Sequence, residues 1–244
     1  INDDDGYELI ITATNSANIF AVVDGFNVAF TATENWNGSE ELTFTVNDQQ
    51  GRAIASDVTT VVVDPVNDTP TIDLTSLSIE FAEDGNTTID FTGYVEDIDS
   101  SGLTIAASVG TEITADVTGM TILFSATENW SGSETFTITV GDGQYEASDD
   151  VVVTVTPEND VPTIVLPDSF SFNEDESLVE DFTSYLNDID GDDLILTATN
   201  SANIFAAVAG FSVTFTATEN WSGSEELTFT INDQLGRAIA SDTI

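Results

Sequence analysis

The chain contains no cysteine, no histidine and no lysine, and Arg52 and Arg237 are its only basic side chains. Without cysteine there is no disulfide framework, no thiolate nucleophile and no soft metal site. Without histidine or lysine, the usual general base and amine nucleophile are missing as well, which argues against an enzyme. Two cations stand against 45 acidic residues, for a formal charge of −43. That balance excludes nucleic acid and anionic membrane surfaces as direct partners, because both require basic groups to displace counterions. No apolar run approaches the roughly 20 residues of a membrane-spanning helix, so direct membrane insertion is not expected. No signal peptide opens the chain, and a start at Ile1 reads as a fragment or a processed product.

What is present is enough to fold. With 41% hydrophobic residues over 244 positions, the chain can build two or three small domains with proper cores. The excess negative charge opposes compaction unless it is screened. Oxygen ligands are the metal-binding groups available, and these suit hard cations such as calcium. An acid-rich, lysine-free surface also suits a marine or salt-loving source.

Internal repetition organises the sequence. Glu34-Asn35-Trp36-Asn37-Gly38-Ser39 returns as Glu128-Asn129-Trp130-Ser131-Gly132-Ser133 and as Glu219-Asn220-Trp221-Ser222-Gly223-Ser224. The tryptophans stand 94 and 91 residues apart, a domain-sized period rather than that of a solenoid. Pro65-Val66-Asn67-Asp68-Thr69-Pro70 matches Pro157-Glu158-Asn159-Asp160-Val161-Pro162, which places boundaries near residues 65 and 157. Three units follow: 1–64, the later part of a repeat; 65–156, a whole one; and 157–244, one without its last strand. Residues 9–57 align without a gap on 194–242 at an offset of 185, and the middle unit diverges, so the order is A-B-A. Asn2 to Gly6 aligns with Asn187 to Gly191.

Leu42, Phe44 and Val46 alternate with Thr43 and Thr45; Phe136, Ile138 and Val140 alternate with threonines in the same way, as do Leu227, Phe229 and Ile231. Such alternation predicts antiparallel strands with one wet face, and no sustained helical period competes with it. Short strands separated by Asp/Gly/Asn turns in units of this size predict an all-β fold, tandem immunoglobulin-like Greek-key β-sandwiches set end to end.

Acidic groups recur at matching turns: Asn67-Asp68, Glu83-Asp84, Asp97-Ile98-Asp99, Glu128 and Asp142, then Asn159-Asp160, Glu174-Asp175, Asp188-Ile189-Asp190, Glu219 and Asp233. Carboxylates crowded into adjoining loops repel unless a divalent ion bridges them. In extended backbone the two side chains of Asp-x-Asp point the same way and can share one ion.

Taken in order, these motifs resemble the calcium-binding cadherin-like repeats found in tandem in large bacterial surface proteins and adhesins, over nearly the whole chain. The resemblance implies calcium between successive domains, held by the linker and by acidic groups from both sides. Carried over, the junction of the second and third units uses Glu83, Glu128, Asn159, Asp160, Asp188, Asp190 and Asp233. The first junction uses Glu34, Asn67, Asp68, Asp97, Asp99 and Asp142. The linker departs from the family's fuller Asp-x-Asn-Asp-Asn, and Thr156 stands where Asp64 offers a further oxygen.

Competing readings of the same residues are structural. The acidic loops also read as a solvated, solubilising face. Trp36, Trp130 and Trp221 read as core side chains more readily than as sugar-stacking platforms. Asn37, Asn67, Asn86, Asn129 and Asn220 head Asn-x-Ser/Thr triplets, which the abundance of Ser and Thr explains. The expected function is an extracellular, cell-surface spacer of adhesive type, a calcium-rigidified rod partnered by further repeats or neighbouring identical chains. The alternative is a module that recognises a glycan or a protein on a cell surface. The A-B-A order further predicts that the parent protein continues the alternation on both sides, with strand donation from a neighbouring chain as the other way to complete the outer units.

Overall fold

The computed structural model describes residues 6–51, 54–235 and 239–244. Among these the elements are β-strands, apart from short 3-10 turns at Thr92–Tyr94 and Phe182–Tyr185. Arg52 and Arg237 lie outside the described residues, as do Asn2 to Asp5, and so does most of the expected Asn2–Gly6 match.

The middle unit is the fullest. Thr104–Ala107, Gly132–Gly141, Glu146–Thr156 and Ile79–Ala82 form one sheet in that order. Its pairs are antiparallel except the last, where Ile79–Ala82 runs parallel to Val153–Thr156. The facing sheet is Ile113–Thr118, Thr121–Ala126 and Asn86–Asp90. Its hairpin turns through Gly119, whose φ of +61° is the left-handed conformation that a two-residue loop demands. Alternate residues of both sheets meet in one core of Ile79, Phe91, Ile113, Ile122, Phe124, Phe136, Ile138 and Val153, with Phe124 and Phe136 edge to face at 5.4 Å. Period-two patterning is what aims one side of each strand inward.

The third unit repeats this plan. Ile195–Ala198, Thr228–Asn232 and Ile239–Thr243 make one sheet, and Ser177–Asp181, Ser212–Ala217 and Ile204–Ala209 make the other. Phe182, Val213, Phe215, Phe229 and Ile231 are its most enclosed residues. Residues 168–174 align with Ile79–Ala82 and its flanks but form no strand. Ile244 aligns with Val151, two residues before Val153, where the pairing with Ile79–Ala82 begins.

In the first unit, Ile10–Ala13, Gly38–Asn47 and Ile54–Val63 form a sheet and Ile19–Asp24 pairs with Asn27–Ala32. The core here is thin: Ile19 and Leu42 are fully buried, whereas Phe20, Val22, Phe26, Phe30, Val58 and Val62 are exposed.

Candidate metal centre

The linker between the middle and third units is a knot of carboxylates. Asn159 Nδ2 donates to Asp233 Oδ2 at 2.7 Å, and the Asp160 amide donates to Asp190 Oδ2 at 2.7 Å. Glu83, only 6% exposed, reaches over from the middle unit and its Oε1 accepts from the Glu158 amide at 2.7 Å. Oxygens of Glu83, Asp160 and Asp190 then lie within 4.8 Å of one another, and so do oxygens of Asp188, Asp190 and Asp192. Asp190 belongs to both groups, so the two sites adjoin.

Among the described residues nothing positively charged offsets this crowding. Burial, then the charges of Asp190, Asp84, Glu83 and Asp188, push the Asp160 carboxyl above its ordinary range. Burial and the neighbouring Asp188 and Asp190 do the same to Asp192. Asp160 Oδ2 and Asp188 Oδ2 are buried with no hydrogen-bond partner. A buried acceptor left without a donor is costly. Such atoms, aimed at a cluster of oxygens, fit a hard divalent cation, whose ligand shell takes six to eight oxygens.

The first linker has the same hydrogen-bond frame. Asn67 Nδ2 donates to Asp142 Oδ2 at 2.6 Å, and the Asp68 amide to Asp99 Oδ2 at 2.7 Å. Asp97 Oδ1 accepts from the amides of Asp99 and Ser100, and its Oδ2 is buried without a partner, like that of Asp188. Among the described residues no three carboxylates come together at this junction as they do at the second. Ser101 aligns with the second junction's Asp192, so that carboxylate has no counterpart here.

Glu83, Asp160, Asp188 and Asp190 are thus brought together, with Asn159 and Asp233 bracing the linker. Glu34 and Glu128 are exposed on the Asn-Trp turn and join neither group. Asp192 was not among the expected ligands. Its signal was the alternating Asp188-Ile189-Asp190-Gly191-Asp192: Gly191, at φ +78°, folds the chain back so that the Asp192 amide donates to Asp188 Oδ1 at 3.2 Å. Asp84, which raises the Asp160 pKa, is itself at φ +59° and accepts from the Asn129 amide at 2.9 Å. Asp175 repeats that contact with Asn220 at 2.8 Å.

Two repeated features are architectural. Asn35, Asn129 and Asn220 take φ near +57° in a tight turn closed from the Trp amide to Thr33, Thr127 or Thr218. Each half-buried indole then lies over the glycine two residues on. An added Cβ would stand 3.0, 2.7 and 2.6 Å from the ring at Gly38, Gly132 and Gly223. Trp130 packs against the middle core. Glu40, Glu134 and Glu225 each gather a loop of backbone N–H groups. Glu225 accepts from Asn203 N at 2.7 Å, Ile204 N at 3.1 Å and Ser201 Oγ at 2.5 Å, which hold its pKa down to about 2.

Two facing sheets per unit, repeated in tandem with short Asn-Asp linkers, define a string of immunoglobulin-like, cadherin-like sandwiches. Residues 67–156 and 159–244 each match the bacterial Ig domain family, and the chain belongs to it. No curated protein matches the chain. Among solved structures, PcdhgB3 EC1-4 is similar at a TM-score of 0.59 and 13% identity, with 97% of this chain and 65% of that one covered. Protocadherin gamma B2 extracellular cadherin domains 1–5 give 0.53 and 15%, covering 98% and 50%. Mouse clustered PcdhgC3 EC1-3 gives 0.51 and 15%, covering 96% and 86%. The chain thus spans about half to two thirds of the first two ectodomains. At these identities the likeness is one of fold.

Proposed function

We propose that the chain is a segment of an extracellular, surface-displayed spacer of adhesive type, built of units at 1–64, 65–156 and 157–244. Calcium at the linkers converts the string of sandwiches into a rod. The observation that carries this reading is the pair of buried, unpartnered oxygens of Asp160 and Asp188 among the carboxylates of Glu83, Asp190 and Asp192. Membership of a bacterial Ig family supports the surface setting. A cation there would relieve the repulsion and tie Glu83 of one sandwich to Asp188 and Asp190 of the next. It would fix orientation between units more than it would stabilise either fold. The partners of such a rod are further repeats or identical neighbouring chains. No residue set here suits catalysis, since the carboxylate pairs recur in the linkers of successive units.

Extracellular modules bind calcium with dissociation constants of about 0.1–1 mM. At about 10 mM calcium, linkage therefore supplies roughly 1.4–2.7 kcal/mol, a rise in melting temperature of about 5–20 °C for units of this size. Calorimetry and small-angle scattering with calcium or chelator test it. The melting point and the maximum dimension should both rise in calcium. Asp188→Asn combined with Asp190→Asn should remove the second junction's share of both effects and leave the third unit folded. Calcium-independent melting and dimensions would overturn the proposal.

A further inference from the structure

The Asp-x-Asp loop is built differently in the middle and third units. It reads Asp97-Ile98-Asp99-Ser100-Ser101-Gly102 in the one and Asp188-Ile189-Asp190-Gly191-Asp192-Asp193 in the other. The middle unit's loop closes on itself. Asp97 Oδ1 accepts from the amides of Asp99 at 2.8 Å and Ser100 at 2.5 Å, and Ser100 Oγ accepts from the Gly102 amide at 3.2 Å. In the third unit Gly191 takes a φ of +78°, and the chain folds back until the Asp192 amide reaches Asp188 Oδ1 at 3.2 Å. That turn brings a third carboxylate to the pair, so that oxygens of Asp188, Asp190 and Asp192 lie within 4.8 Å of one another. Among the described residues no such trio forms around Asp97 and Asp99.

The trio differs from its neighbour in where its members come from. Asp188, Asp190 and Asp192 all belong to one sandwich, so the group exists whatever the middle unit is doing. The adjoining group of Glu83, Asp160 and Asp190 needs Glu83 from the middle unit, a side chain 6% exposed. Asp188 Oδ2 in the first group and Asp160 Oδ2 in the second are buried without a donor. Five carboxylates therefore stand around two adjoining positions that share Asp190. One divalent ion leaves three of their negative charges uncompensated, and two ions leave one.

Resting on the reading of calcium at the linkers, we infer that Asp192 gives the third unit a cation seat of its own, formed with Asp188 and Asp190, and that Ser101 denies one to the middle unit. The seat fills without two units having to be oriented, so it takes calcium at a lower concentration than the joint does. An ion held there fixes Asp190, which then meets Glu83 and Asp160 already in place. Setting a ligand beforehand removes part of the ordering cost of the second ion. Calcium thus acts in two steps at this joint: capture by the third unit, then locking of the middle unit onto it.

The test is a calcium titration of the whole chain, by calorimetry to count ions and by small-angle scattering to read length. Asp192→Ser, which installs the middle unit's residue, should lower the count by one and raise the calcium needed for half-maximal lengthening at least about tenfold. Ser100→Gly combined with Ser101→Asp copies the third unit's turn into the middle unit and should raise the count by one, a gain that misfolding cannot mimic. If the parent binds calcium and Asp192→Ser changes neither count nor midpoint, the inference is overturned and the calcium-joined rod stands. If the parent binds no calcium, both fall.

Discussion

The same substitution made twice in one molecule isolates what a covering segment is worth. Phe215→Ala removes a ring that is almost fully enclosed and lies 5.4, 6.4 and 6.0 Å from Phe170, Phe182 and Phe229. Truncating such a ring costs the lost transfer free energy plus a cavity term, about 3–5 kcal/mol in all. Phe30→Ala removes a ring that is nearly half in water and has Phe44 as its edge contact, so about 1 kcal/mol is expected. For domains of this size each kcal/mol moves the midpoint by about 4–8 °C. The third unit's transition should therefore fall by more than about 12 °C with Phe215→Ala, and the first unit's by less than about 8 °C with Phe30→Ala. Fluorescence melts can report each unit separately if Trp36 or Trp221 is kept and the other two tryptophans are replaced by Phe. Equal costs at the two positions would mean that the first unit's face is covered in the free chain, and the argument from exposure would fail.

Gly132→Ala puts a Cβ 2.7 Å from the Trp130 ring at a backbone φ of +155°, so the indole must shift. A loss of about 1–3 kcal/mol from the middle unit is expected, with a red-shifted Trp130 emission, and an unshifted spectrum would show that the ring does not rest on that glycine. Glu225 supplies a pH dependence with a definite sign. Its folded pKa of about 2 lies below the ordinary 4.5, so its contribution is whole above about pH 4.5 and is lost as the pH falls towards 2. In urea titrations, Glu225→Gln should weaken the third unit at pH 7 and differ progressively less from the parent as pH drops from about 4.5 towards 2. A gap that stays constant over that range would mean the carboxylate's charge is irrelevant to the loop.

The strands were legible because a two-residue period is written in side chains. Phe136, Ile138 and Val140 are all fully buried, as the alternation with threonine predicts. The same alternation in Leu42, Phe44 and Val46 gives one enclosed residue and two half-buried ones. Periodicity says which face is apolar and is silent on whether anything covers it, because the cover comes from residues distant in sequence. The Asn-Trp-x-Gly motif was legible as a repeat at a turn, but the geometry of that turn was not. Its meaning depends on the positive φ of Asn129 and on the ring lying over Gly132. Glu34 and Glu128, which the family resemblance grouped with the other acids, stand exposed on the same turn and belong to neither carboxylate group.

Carboxylates divide in a way that their one-letter code conceals. Glu225 and Asp160 both count as a single negative charge, yet one has its pKa lowered and the other has it raised. Glu225 sits where the hydroxyl of Ser201 and the amides of Asn203 and Ile204 converge, so the protein supplies its compensating dipoles. Those donors are largely backbone, which no residue identity announces, and Glu40, Glu134 and Glu225 therefore drew no notice beside the Asp-x-Asp motifs. Asp233 is also supplied, by Asn159 Nδ2 and the Leu235 amide. Asp160 has buried surroundings and four acidic neighbours instead, and its Oδ2 faces no donor at all. A folded chain that spends backbone amides on Glu40, Glu134 and Glu225 and leaves the oxygens of Asp160, Asp188 and Asp97 bare has sorted its acids into two kinds. The first kind is neutralised from within; the second has no such donors and stands at the joints between sandwiches, where the proposed cation would supply the missing charge.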